Sequence, residues 1–318
     1  MKKHTVHIPT VTIGIPAYNE EGNITQVLQS LLQQSSSFYF LDAIYCVSDC
    51  STDKTDEIVR NFPSRKVVFL RNNKRIGKSL ILNKLCARSN SDILVVLDAD
   101  ISIKSPHMID RLVKPFENPK VMLTSGHAKP HEVNSFFQKI LYVGYELHER
   151  SIRRVKKSDM YKCEGAVRAF RKKFYKQLTF PQISSEDVYP YLICQQEKYT
   201  FVPVMEAVVY KKLPSTYTDY LKQIRRYLMS RSVHTKRFSA KVIQDSYTIG
   251  TKEKIVTFIV HFFKDPVYTT LYISILLYPK IINIFSKVES GVWEISTSTK
   301  STRQKTRNKI RKMLYYRA

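Results

Sequence analysis

Three places in the chain put acids where a reaction could use them. Asp98 and Asp100 flank Ala99 directly after Ile93-Leu94-Val95-Val96-Leu97, the most apolar run of the first half. Two carboxylates two residues apart repel one another unless a cation or donor group neutralises them. A hard divalent ion shared with a substrate diphosphate would do so; a pair of solvated loop acids or helix caps is the plainer alternative. Asp49 follows a second apolar run, within Ser48-Asp49-Cys50-Ser51-Thr52-Asp53-Lys54-Thr55. Ser51, Thr52 and Asp53 suit a helix cap, whereas Asp49 stands before it. Glu186 and Asp187 follow Ser185 at the head of an amphipathic stretch. They could be favourable charges at a helix N-terminus, or one could be a general base. Gln223 and Arg226 are three apart, hence on one helix face, which is either part of a site or a solvated basic surface.

Other chemistries are excluded by spacing. Ile76-Gly77-Lys78-Ser79 ends like a phosphate-binding P-loop, but Asn72 stands where that loop needs glycine, and no G-x-G-x-x-G occurs. His127 and His131 are four apart with Pro130 between them, which breaks the helix that would align them as ligands. Five cysteines, with no close C-x-x-C pair, form neither a disulfide framework nor a zinc ribbon.

The elements that position these residues alternate. Strands are expected over residues 11–15 (stopped by Pro16), 43–47, 66–70, 93–97 and 121–124. Helices are expected after Asn23, with Ile24, Val27, Leu28, Leu31 and Leu32 at helical spacing, and over 78–88. This order predicts a mostly parallel sheet with helices on both faces, whose ligands sit beyond the carboxyl ends of the strands. The second half reads as helices over 132–158, 186–196 and 216–234, with strand pieces at 201–204 and 207–210.

The 318 residues carry 52 Lys+Arg against 27 Asp+Glu, a net charge of +25. A hydrophobic fraction of 43% is ample for a core. Basic residues are spread along the chain, with one run from Lys300 to Arg317. Such a tail is a solvated arm or one drawn to anionic lipid. Without a basic face carrying interleaved aromatics, no nucleic-acid partner is expected. The N-terminus lacks the apolar stretch of a secretory signal.

Taken in order, the motifs resemble the inverting family 2 glycosyltransferases, nucleotide-sugar-dependent enzymes of the α/β fold called GT-A. The resemblance covers about residues 9–235. It rests on Ile15-Pro16-Ala17-Tyr18-Asn19-Glu20-Glu21, the segment from Ser48 to Thr55, Gly77-Lys78-Ser79-Leu80-Ile81-Leu82-Asn83, Asp98-Ala99-Asp100, the stretch from Gly165 to Arg171, Ser185-Glu186-Asp187, and Gln223-Ile224-Arg225-Arg226-Tyr227. The last is similar to the Q-x-x-R-W motif of the polymer-making branch. Ser48, Cys50 and Tyr227 depart from the usual Asp, Gly and Trp.

The resemblance implies a single in-line displacement. Asp187 would be the base, beside Glu186, with Gln223 and Arg226 at the reacting end. Pro16, Tyr18, Asn19, Glu20, Asp49, Lys78, Asp98 and Ala99 would hold the nucleotide sugar. Asp100, with Asp98, would take Mg²⁺ or Mn²⁺. The family's commonest donors are UDP-linked, and the acceptor would be a lipid-linked or growing saccharide. Two other readings stay open: a nucleotide-sugar- or lipid-binding interaction module, and, more weakly, a nucleotidyltransferase.

A catalytic domain is expected over 1–238, an apolar helical membrane-associated segment over 239–295 and a basic tail over 296–318. The 31 residues of 255–285 are too few for two spans of about 20 residues each. An interfacial or re-entrant hairpin is therefore expected, with one true span as the runner-up and a buried amphipathic pair packed on the catalytic domain as the plainer alternative. The catalytic domain would then face the cytoplasm. Gly291 to Glu294, with Ser298-Thr299-Lys300, weakly resembles the post-membrane segment of polymer-making relatives.

Overall fold

The computed structural model describes residues 8–154, 159–183, 185–247, 251–283 and 299–300. The order begins β1 (Thr10–Ala17), α1 (Ile24–Leu32), β2 (Phe40–Ser48), α2 (Thr55–Arg60), β3 (Val67–Arg71), α3 (Lys78–Arg88) and β4 (Ile93–Leu97). It continues with β5 (Ile101–Ser102), α4 (Met108–Val113), β6 (Val121–Pro130), α5 (Phe136–Arg154), β7 (Val167–Arg171), α6 (Lys172–Tyr175), α7 (Tyr189–Gln196) and β8 (Thr200–Lys211). It closes with α8 (Tyr217–Thr235), α9 (Ala240–Ser246), α10 (Thr251–Lys264) and α11 (Pro266–Asn283).

Eight strands form one sheet in the order β3-β2-β1-β4-β7-β6-β8-β5. Strands β3, β2, β1 and β4 are mutually parallel, as the β–α alternation requires. Beyond β4 the sheet is mixed: β7 runs antiparallel to both β4 and β6, while β6 and β8 are parallel. Period-2 alternation divides β4 between two cores. Ile93, Val95 and Leu97 join the layer under α1 and α4, and Leu94 and Val96 join the layer under α3 and α7.

Several expectations need correction. Pro16 does not stop β1, which runs to Ala17; the pairing of β1 with β4 ends at Gly14, so the missing N–H costs no bond to that strand. The two strand pieces of the second half are one strand, β8, whose register against β6 shifts between Ser125 and His127. The helix expected from Glu186 begins at Tyr189, leaving the acids in the preceding turn. Asp53, by contrast, binds the start of α2 through the Thr55 backbone N–H (3.0 Å).

Cys50 has φ 62°. A left-handed conformation costs a residue bearing a Cβ roughly 1–2 kcal/mol, partly offset because glycine loses more entropy on folding. Cys50→Gly should therefore stabilise the protein by about 0.5–1 kcal/mol, read as a higher urea midpoint at unchanged slope.

Helices α10 and α11 pack on α5, and α11 also touches α8. His261, buried in α10, bonds Glu146 of α5 (3.1 Å) and Thr269 of α11 (2.9 Å). Ile255, Ile259, Phe263 and Val267 remain exposed on this pair. No helix among the described residues is long and apolar enough to cross a membrane. Most of the post-membrane segment and of the basic tail lies outside the described residues, except Thr299 and Lys300.

Candidate active site

A cleft of about 250 Å³ opens beyond the carboxyl ends of β1, β2 and β4. Pro16, Tyr18 and Glu20 enter it after β1, Asp49 after β2, and Asp98, Ala99 and Asp100 after β4. Lys78 reaches it from the first turn of α3, Asp187 from the turn before α7, and Gln223 and Arg226 from one face of α8. Most of these segments converge because each follows a strand or begins a helix, and α8 adds Gln223 and Arg226 from its interior.

Its floor is an acid–cation cluster. The Lys78 ammonium lies 2.7 Å from Asp98, 3.3 Å from Glu186 and 3.6 Å from Asp187. Burial alone would depress the Lys78 pKa, but Asp98, then Asp187 and Glu186, outweigh it and hold the ammonium above its ordinary range. Arg168 of β7 lies 3.5 Å from Asp187 on its other side. Burial would raise the Asp187 carboxyl, yet Lys78, then Arg168, pull it well below the usual carboxylate range. Glu186 is fully buried behind Asp187, and burial, then repulsion from Asp187, pushes it up to about 8. Two neighbouring carboxyls are thereby driven apart: Asp187 is a carboxylate facing the cleft, and Glu186 is a neutral acid beside it. A Cβ at Gly165 would collide with the Asp187 carboxylate, so only glycine leaves that carboxylate room in this position.

Glu186 has a consequence for stability. Its carboxyl binds a proton more tightly in the folded chain, so its contribution is full below pH 4.5 and lost as pH rises through about 8. Glu186→Gln should flatten that part of the pH–stability curve, by at most about 1.4 kcal/mol per pH unit. Urea unfolding of the unliganded protein at several pH values between 4.5 and 8 reads it.

The side of the cleft beyond β1 and β2 is built from two loops tied together. Asn19, at φ 53°, accepts from the Thr52 backbone N–H (2.8 Å) and donates to the Thr52 hydroxyl (3.1 Å). It fastens the loop after β1 to the loop after β2. Asp49 lines the cleft while accepting from the backbone N–H groups of Ile76 (2.9 Å) and Gly77 (3.0 Å) and from the Asn72 amide (3.2 Å). Gly77, at φ 85°, makes the turn that aims those N–H groups. The Arg75 guanidinium stacks 4.0 Å over the Tyr18 ring. Glu186 sits beside the base and does not line the cleft.

Four charged cleft residues were not anticipated as site residues: Arg75, Glu164, Lys211 and Lys300. Lys300 pairs with Glu20 and donates to the Tyr18 carbonyl (3.0 Å). Burial, opposed first by Lys300, pushes Glu20 up to about 7. The resemblance of Ser298-Thr299-Lys300 to a post-membrane segment was the one sequence signal for this return; the basic tail gave none.

The donor set can be tested against a divalent ion. Asp100 is held above its ordinary pKa by burial and then by Asp98, the repulsion a cation relieves. No group of three or more His, Cys, Asp or Glu poised to hold a metal occurs among the described residues. One or two carboxylates completed by substrate phosphates is the arrangement Mg²⁺ favours, and Asp100 fits it. Asp98 fits less well, because Lys78 already occupies it.

The fold is a mixed α/β sheet flanked by helices, with a cleft lined by acids and cations beyond the ends of its strands, and comparison with known proteins gives its family. Residues 12–179, more than half the chain, match the model for Glycosyl transferase family 2, and the chain belongs to that family. It is 26% identical over 302 residues to an uncharacterised glycosyltransferase of Haemophilus influenzae, covering 92% of each chain. It is 31% identical over 112 residues to the 4,4'-diaponeurosporenoate glycosyltransferase of Staphylococcus haemolyticus, covering 34% of this chain and 28% of that one. Such matches span only about a quarter of several curated relatives. In structure it is similar to the mannosyltransferase PcManGT of Pyrobaculum calidifontis, in complex with GDP-Man and Mn²⁺: TM-score 0.65, 16% identity, 89% of each chain.

Proposed function

We propose that the chain transfers a sugar, with inversion, from a nucleotide-diphosphate sugar to a hydroxyl acceptor. One observation carries this reading: Asp187 is ionised between Lys78 and Arg168 and faces the cleft in which Asp98 and Asp100 stand. Asp187 takes the proton from the acceptor hydroxyl as that oxygen attacks the anomeric carbon. The carbon–oxygen bond to the diphosphate breaks in the same step, and Arg226 and Lys78 lie where they can offset the charge of the departing group. Asp100 would hold Mg²⁺ or Mn²⁺, which supplies further neutralisation of the diphosphate when bound. Tyr18 with Arg75, and Asp49, sit on the nucleotide side, and a UDP-linked donor is proposed.

The acceptor is proposed to be a lipid-linked or growing saccharide. The exposed apolar residues of α10 and α11, with the +25 charge, support interfacial contact with an anionic membrane on the cytoplasmic side. The flat Tyr227 ring, 57% exposed at the cleft edge, suits contact with a sugar face, as the Q-x-x-R-W-like branch would require. Inversion is tested by proton NMR of the first product, the sugar passed to acceptor or to water. An α-linked donor should yield a β product, and an α product would point to retention.

A further inference from the structure

Arg168 is the largest fully buried side chain of the protein and lies in the middle of its sheet. On β7 it stands opposite Val96 on one side and Ser125 on the other, among Val167, Ala169 and Phe170. Burying a guanidinium there is costly unless specific partners compensate it. Its hydrogen-bonding and ionic contacts all fall on two residues. Nη1 donates to the Glu186 carbonyl (3.3 Å) and the Asp187 carbonyl (3.1 Å), and Nη2 lies 3.5 Å from Asp187 Oδ1. The stem is steadied by the Phe170 ring, 5.8 Å from the guanidinium carbon.

We infer that Arg168 is the positioning residue of the catalytic base: one planar fork fixes both the backbone and the carboxylate of Asp187. The inference rests on the reading of Asp187 as base. Arg168 lies behind Asp187 and does not line the cleft, so it acts on the reaction only through that residue. A lysine could supply the charge but not the fork, because an ammonium cannot hold two carbonyls and a carboxylate in one plane. Arg168 and Lys78 are the two leading cations that keep Asp187 ionised. Removing Arg168 should therefore misplace the base and make it easier to protonate.

The test is nucleoside-diphosphate release by Arg168→Met and Arg168→Lys, with donor affinity and the pH–rate profile measured beside it. Arg168→Met should lower kcat about 10- to 100-fold, the penalty of a misplaced reacting group. Its donor affinity should stay within about twofold, and its acidic limb should move to higher pH. Arg168→Lys should recover the position of the acidic limb but only part of kcat. A folded Arg168→Met with wild-type kcat and acidic limb would overturn the inference, as would a kcat loss matched by an equal loss of donor affinity. Should Arg168→Met fail to fold, Arg168→Lys decides alone, and wild-type kcat in it refutes the fork. Asp187→Asn separates the two claims: if that variant stays active the base reading itself fails, whatever Arg168 does.

Discussion

Asp187→Asn should abolish sugar transfer while leaving donor binding near that of the wild type. The asparagine amide has nearly the shape of the carboxylate but cannot accept a proton at neutral pH. Loss of a positioned general base costs typically 10²- to 10⁴-fold. Donor binding should survive because Tyr18, Asp49, Asp100, Lys78 and Arg226 line the cleft and are unchanged in the variant. The rate of nucleoside-diphosphate release gives the first quantity and calorimetric titration of the donor gives the second. Transfer persisting above a few per cent would remove Asp187 as the base.

Lys78→Met should be nearly as damaging, for a different reason. Lys78 is the shared counterion of Asp98, Glu186 and Asp187, and its side chain is only 11% exposed. Methionine replaces the stem but not the charge, leaving three carboxyls close together. Removing one partner of a buried ionic group typically costs 3–5 kcal/mol. The loss here should reach at least the lower end, about 3 kcal/mol, because Asp98 and Asp187 keep some solvent contact. Asp187 should also become easier to protonate, so the acidic limb of the rate profile should rise. Urea unfolding and the pH–rate curve read the two effects. A variant within about 1 kcal/mol of the wild type would show that the acids do not depend on Lys78.

What the sequence disclosed follows from where its signals are local. Asp98 and Asp100 were legible because an all-apolar parallel strand ends directly before them. Asp187, Gln223 and Arg226 were legible through short motifs in order along the chain. The parallel half of the sheet could be read from β–α alternation. The antiparallel insertion of β7 could not: Val167-Arg168-Ala169-Phe170-Arg171 carries two arginines where a buried strand usually carries none, and only the three-dimensional position of Asp187 explains the first of them. Lys78 is placed on the nucleotide sugar only by the family resemblance, and nothing local in the sequence shows that its ammonium rests among acids supplied by residues 98, 186 and 187. Lys300 was hidden for the same kind of reason. In sequence it is one cation of a basic run, and its partner Glu20 lies 280 positions away.

The most direct measurement is nucleoside-diphosphate release from a panel of UDP- and GDP-linked sugars in a detergent extract. It would be run with Mg²⁺ or Mn²⁺, with chelator, and with Asp187→Asn beside the wild type. The account predicts release from one donor, lost in chelator and in the variant. Release that is indifferent to Asp187, or no release from any donor by folded protein that binds the nucleotide, would contradict it.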